Sequence, residues 1–264
     1  MEKSSCQRGL LKNELYKLFK MKKIYVFAAV MLGITFLNLY DYQPGGSEMT
    51  VWDFYYGQSV PLSMIQIFSQ FMIIFIPIVI ADCISNDYRN GTLKLSLQRP
   101  IARWQLLSAK LMALFAFIIV STVLFLILSY TLGVYFIGWG EMTEYLGVSY
   151  PPMKGIGVTV GVYALFMLPT MAYGIFAGFI AVLVKNMSTA IIISLVLITV
   201  GLNLNGVSAI APYSLAHHLM YFPEELMQIQ GWSGILQNIG VVLIYGVLFA
   251  GLSFWLFKKK EILY

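Results

Sequence analysis

Residues 111–137 read LMALFAFIIVSTVLFLILSYTLGVYFI, and none of them is Asp, Glu, Lys or Arg. A helix needs about 20 apolar residues to cross the hydrocarbon core of a bilayer, so this stretch crosses with length to spare and is expected to tilt or to extend beyond the core. Five further runs share its character, at residues 24–40, 60–81, 156–184, 189–206 and 234–257. Their apolar residues are continuous, whereas transmembrane strands show alternating segments of about ten residues. Helices also satisfy every backbone polar group within one segment, as lipid requires. The expected fold is an all-α integral membrane protein, a single transmembrane domain over residues 1–264 with six spanning helices. Composition agrees: 59% of the residues are hydrophobic and 11% charged, against about 25% charged in a soluble domain.

The charges then orient the spans. Of the 17 Lys and Arg residues, all but Lys154 fall before the first run, between the second and third, between the fourth and fifth, or after the sixth. Asp41, Glu48, Asp53, Glu141, Glu144, Glu224 and Glu225 fall in the other three segments. The positive-inside rule places both termini and the basic connections in the cytoplasm. In a soluble chain a net charge of +5 would suggest nucleic acid; sorted by side, it signals topology and contact with anionic lipid instead. Cys6 and Cys83 lack a CxxC spacing and read as free thiols on the reducing side. Tyr40-Asp41-Tyr42-Gln43-Pro44 offers no small-residue cleavage pattern, so the first run reads as a retained span.

Before it, Leu10, Leu11, Leu15, Leu18 and Phe19 recur at helical spacing opposite Lys12, Asn13, Lys17 and Lys20. The pattern predicts an amphipathic interfacial helix along the cytoplasmic leaflet. Residues 82–110, DCISNDYRNGTLKLSLQRPIARWQLLSAK, form the longest cytoplasmic connection. Asn90-Gly91 reads as a turn and Pro100 as a break between two short helices. Composition alone fits equally a docking surface and a basic loop lying on anionic lipid. Outside, residues 207–233 are long enough for a partly re-entrant helix.

Chemistry is sparse. No Asp, Glu, Lys, Arg or His lies inside the six runs, which disfavours an ion-coupled carrier. Gln66, Gln70, Asn203 and Asn205 are the candidates to line a pathway, the alternative being bonds between helices. His217 and His218 point about 100° apart on a helix and cannot jointly chelate one ion, so no metal site is expected. There is no Gly-Lys dipeptide and hence no Walker A loop, no G-x-S-x-G elbow and no H-E-x-x-H helix. The chain is not expected to be an enzyme, to have catalytic residues or to bind a cofactor itself.

Taken together, the basic helix before the first span, six spans with both ends inside, and NDYRNGTLKLSLQRPIARWQLLSAKL after the second span resemble permease subunits of bacterial type-2 ABC exporters. Gly91-Thr92-Leu93, the Arg99-Pro100 step, Arg103 and Lys110 carry the likeness; Asp87 stands where members often have a glutamate. The resemblance implies a multi-pass protein of the bacterial cell membrane whose 82–110 segment is a coupling loop docking a separate ABC ATP-binding subunit. Asp87, Arg89, Gly91, Thr92, Pro100 and Arg103 become coupling candidates, and ATP is used only through that partner. A second permease subunit, identical or different, would complete the pathway, with no nucleic acid involved. The cargo by analogy is amphiphilic, such as an antimicrobial peptide or a drug, giving a role in antibiotic resistance or immunity. The alternatives are a self-contained secondary transporter or channel and, behind it, a membrane enzyme centred on the histidines.

Overall fold

The computed structural model describes residues 2–40, 56–89, 102–184, 186–228 and 232–259. In chain order its helices are α1 (Glu2–Phe19), α2 (Lys22–Tyr40), α3 (Val60–Arg89), α4 (Arg103–Phe136), α5 (Pro152–Val184), α6 (Met187–Asn203), α7 (Leu215–Gln228) and α8 (Trp232–Lys259). Six of these, α2 to α6 and α8, are long and apolar enough to cross a membrane, consistent with a multi-pass membrane protein. Two boundaries differ from the sequence reading. α3 runs through Asp82 to Arg89 and α4 begins at Arg103, so most of the expected 82–110 loop is helix and residues 90–102 connect the two. The helix continues past the apolar run because Asp82 is neutralised there, its Oδ2 lying 2.7 Å from Lys23 Nζ. At the start of α4, the Ala102 N–H donates to Gln105 Oε1 at 3.1 Å, meeting one of the donors a helix start leaves open.

α5 lies at the centre, packed against α3, α4, α6, α7 and α8. Without a hydrophobic driving force between helices in lipid, close backbone approach and hydrogen bonds carry the association. Gly174 and Gly178, one turn apart, let α4 and α3 come near: a Cβ at Gly174 would stand 2.7 Å from Leu114 Cδ2. Phe68 of α3 stacks on Phe125 of α4 with ring centroids 4.5 Å apart.

Two of the three prolines inside the described helices, Pro77 and Pro223, show the same economy. Pro77 has no N–H, so the Ile73 carbonyl one turn before it loses its helical donor; Tyr173 Oη of α5 donates to that oxygen at 2.9 Å. Pro223 in α7 does the same to the Leu219 carbonyl, which accepts from Ser69 Oγ of α3.

One element was not expected. Thr143–Tyr145 (β1) and Val148–Tyr150 (β2) pair antiparallel between α4 and α5. Leu146 and Gly147 both have positive φ, 51° and 75°, the two-residue turn that matches strand twist. The 3-10 turn Gly57–Ser59 holds this hairpin to the bundle. Buried Gln58 exchanges two 3.1 Å hydrogen bonds with the Gly140 backbone, and Ser59 Oγ accepts from the Glu144 N–H at 2.8 Å.

Candidate functional site

Polar chemistry collects at the two ends of the bundle. At the end holding α1, the C-terminus of α3 and the start of α4, Lys110 is 1% exposed and Glu14 4%. Lys110 Nζ donates to Glu14 Oε2 at 3.1 Å and to the Cys83 carbonyl at 2.6 Å. Glu14 Oε1 also accepts from Lys17 Nζ at 3.2 Å, and Lys23 pairs with Asp82. Charges buried this deeply persist only when paired and hydrogen-bonded. α1 and α2 are thereby tied to both helices that flank residues 90–102.

This contact also reassigns the apolar stripe of α1. Leu18 is fully buried and Leu10 and Leu15 pack on the core, so the stripe faces the bundle rather than the leaflet, while Phe19 and Tyr16 are exposed at 38% and 59%. Glu14 shares a face with Leu10 and Leu18 at i, i+4 spacing. An acid inside an apolar stripe is the legible sign of a buried partner, though the stripe alone predicts only an interfacial helix.

Of the coupling candidates, Asp87 and Arg89 lie in the last turns of α3, with their side chains outside the described residues. Gly91, Thr92 and Pro100 lie outside them altogether. Arg103 opens α4, and its Nη1 donates to the Lys258 carbonyl of α8 at 3.4 Å. The structure places Arg103 beside the end of α8.

At the opposite end, α7 packs into the bundle through Leu219, Phe222 and His218, all fully buried. His217 Nε2 stands 2.7 Å from Glu225 Oε1 and His218 Nδ1 3.5 Å from Glu225 Oε2. Asn238 of α8 donates to Glu225 Oε2 at 2.8 Å, and Gln66 of α3 to Glu224 Oε1 at 3.1 Å. Burial works to raise the Glu225 pKa, but hydrogen bonds and charge from His218 and His217 outweigh it and hold the carboxyl below its usual range. Burial, with the neighbouring Glu225 charge, pushes Glu224 up. Burial and then the Glu224 charge push the Tyr145 hydroxyl up as well, which brings the hairpin into the same electrostatic neighbourhood. The adjacent histidines thus converge on one carboxylate about two turns on. Among the described residues no group of three His, Cys, Asp or Glu side chains is arranged to hold a metal ion.

The pathway candidates do not converge. Gln66 joins the Glu224 contact, Asn203 Nδ2 donates to the Thr199 carbonyl of its own helix at 2.8 Å, and Asn205 lies in the 3-10 turn after α6. Gln70 is exposed on α3.

Among curated proteins, the chain is 25% identical over 206 residues to the uncharacterized protein YhcI of Bacillus subtilis (strain 168), a match covering 72% of this chain and 64% of that protein. The chain therefore spans slightly less than two thirds of that relative's length. Residues 12–263 match the family described as protein of unknown function (DUF2705), and the chain belongs to that family.

Proposed function

We propose that the chain is the permease subunit of an ATP-driven ABC exporter, energised by a separate ATP-binding subunit that docks on the segment between α3 and α4. The observation that carries this reading is the buried clamp around that segment. Glu14–Lys110, Lys110–Cys83 and Lys23–Asp82 tie α1, α2, α3 and α4 together at its base. Closure of two ATPases against residues 90–102 would move those helices as one body, converting binding made in another chain into a shift of the membrane equilibrium. Asp87, Arg89, Gly91, Thr92, Pro100 and Arg103 are the contact candidates. The positive-inside rule puts this end, with both termini, in the cytoplasm of a bacterial cell, and the exposed Tyr16 and Phe19 of α1 would then meet the headgroups. Gln70 supports a second permease subunit. It is exposed partway along a spanning helix, and an amide left against hydrocarbon is costly, so a partner subunit or a pathway would cover it. The cargo suited to this interior is amphiphilic, such as an antimicrobial peptide or a drug.

The test is co-expression with the product of an adjoining gene that carries a Walker A loop. Alone the chain should hydrolyse no ATP; together the two should co-purify and hydrolyse it. Gly91→Trp should abolish association or stimulation, and unchanged association and hydrolysis in that variant would refute the docking assignment. The cluster of His217, His218, Glu224 and Glu225, linked to α3 by Gln66, favours one second reading, a proton-coupled carrier. That reading requires pH-gradient-driven flux in liposomes containing this chain alone.

A further inference from the structure

A cavity of about 570 Å³ opens between the start of α4 and the end of α8, lined by Arg103, Trp104, Phe254, Trp255 and Lys258. Its walls are aromatic, and among the described residues no acid lines it. Trp104 and Trp255 are 55% and 56% exposed, and the Arg103–Lys258 hydrogen bond closes one side. Lys259 Nζ lies 4.6 Å over the Trp255 ring, adding a third cation at the mouth. Both helices are apolar spans that become cationic at this level.

We infer that this cavity binds an anionic phospholipid, its phosphate between Arg103 and Lys258 and an acyl chain along Trp104, Phe254 and Trp255. Three features select that occupant. Tryptophans at a span end sit at headgroup depth with their rings in the acyl boundary. Basic pockets between spans at the cytoplasmic side suit anionic headgroups. Arg103 presents a planar fork that matches phosphate oxygens. A zwitterionic lipid fits the apolar wall equally well but brings its own ammonium group toward three cations, so the charge complementarity favours a lipid with net negative charge. The inference rests on insertion of α4 and α8 in a bilayer and not on the ATPase-docking reading.

The experiment uses the full chain carrying W52F/W139F/W232F, which leaves Trp104 and Trp255 as reporters. It is reconstituted in phosphatidylcholine nanodiscs with increasing dibrominated phosphatidylglycerol or dibrominated phosphatidylcholine. Bromolipid in both leaflets makes the readout independent of which end faces the cytoplasm. The expected result is saturable quenching with about a fivefold or greater preference for phosphatidylglycerol, since each cation near an anionic headgroup contributes roughly a fivefold factor. In R103Q/K258Q/K259Q, with unchanged circular dichroism, the preference should fall toward unity. Equal quenching by the two lipids, or a preference that survives R103Q/K258Q/K259Q, overturns the inference. Quenching by neither overturns it together with the membrane placement of these helix ends.

Discussion

Glu14→Gln isolates the charge that ties α1 to the bundle. The substitution keeps the side chain's shape and an acceptor oxygen but removes the carboxylate from Lys110, which is 1% exposed, leaving the ammonium against the Cys83 carbonyl at 2.6 Å. Breaking a buried ion pair by removing one partner typically costs about 3–5 kcal/mol. Because the introduced amide can still accept a hydrogen bond, the lower end applies, about 3 kcal/mol, or roughly a hundredfold in the folding equilibrium. Lys110→Met should cost less, because Glu14 retains Lys17 at 3.2 Å; that lysine is 40% exposed, and pairs of this kind contribute about 1 kcal/mol or less. The double variant E14Q/K110M removes both charges of the pair and should recover most of the loss, since replacing a whole buried pair by neutral groups is often tolerated. Reversal, E14K/K110E, should recover little: the transplanted carboxylate would face the Cys83 carbonyl and the transplanted ammonium would face Lys17. The assay is unfolding of the purified full chain by SDS in mixed micelles, followed by circular dichroism. If E14Q unfolds at the wild-type SDS fraction, or E14Q/K110M is less stable than E14Q, the clamp does not hold α1 as argued.

Tyr173→Phe should destabilise the wild-type chain by about 0.6 kcal/mol, the average for a hydrogen bond between membrane helices, and by no more than about 1.7 kcal/mol. The loss should shrink in a P77A background, where residue 77 regains an N–H for the Ile73 carbonyl; equal losses in both backgrounds, by the same SDS titration, would contradict the proline argument. For pH, the signs at Glu225 and Glu224 are opposite. Glu225, held low by the histidines, contributes stability that is present above its unfolded pKa and lost as pH falls through its folded one. Glu224, held high, contributes stability present below its unfolded pKa and lost as pH rises through its folded one. Acidification should therefore first protect α7 from hydrogen exchange slightly, as Glu224 protonates, and then release it below the usual carboxylate range. E225Q should cost about 2 kcal/mol at neutral pH, the scale of a hydrogen bond to a charged group, and abolish the acid limb; an acid limb that persists in E225Q would place the titration elsewhere.

The spans were legible because hydrocarbon imposes a rule on composition that single residues cannot disguise: an uncharged run such as 111–137 has few alternatives to a crossing helix. Their ends were less legible, because the same rule stops at the first charge. At Asp82 the helix continues, for Lys23 supplies across space what lipid denies, and no local pattern announces a partner 59 residues away. The hairpin at residues 143–150 was missed for a different reason. Two strands of three residues each are too short to show alternation, and only Leu146-Gly147 hints at the turn. At the α7 site an ideal helix sets adjacent imidazoles about 100° apart. Two neighbouring imidazoles can nevertheless meet one Glu225 when the carboxylate side chain is long and the helix contains Pro223. Glu14 was the opposite case, readable from its position in the stripe of Leu10 and Leu18.

These differences bear on how the bundle would move if force enters between α3 and α4. The clamp at that end is built from buried charge, worth about 3–5 kcal/mol to break. Farther along α3, the backbone at Pro77 lacks one helical hydrogen bond and is supported by the Tyr173 hydroxyl, and Ser69 supports α7 at Leu219 in the same manner. Contacts of that kind between membrane helices average about 0.6 kcal/mol. A load applied to residues 90–102 therefore meets a stiff joint first and a soft one next. α1 and the near ends of α3 and α4 should travel together, and α3 should bend at Pro77 rather than part from α1. Pro77 lies between the Asp82 pair and the Gln66–Glu224 contact, so bending there would change the angle at which α3 meets α7 while leaving the charged base intact.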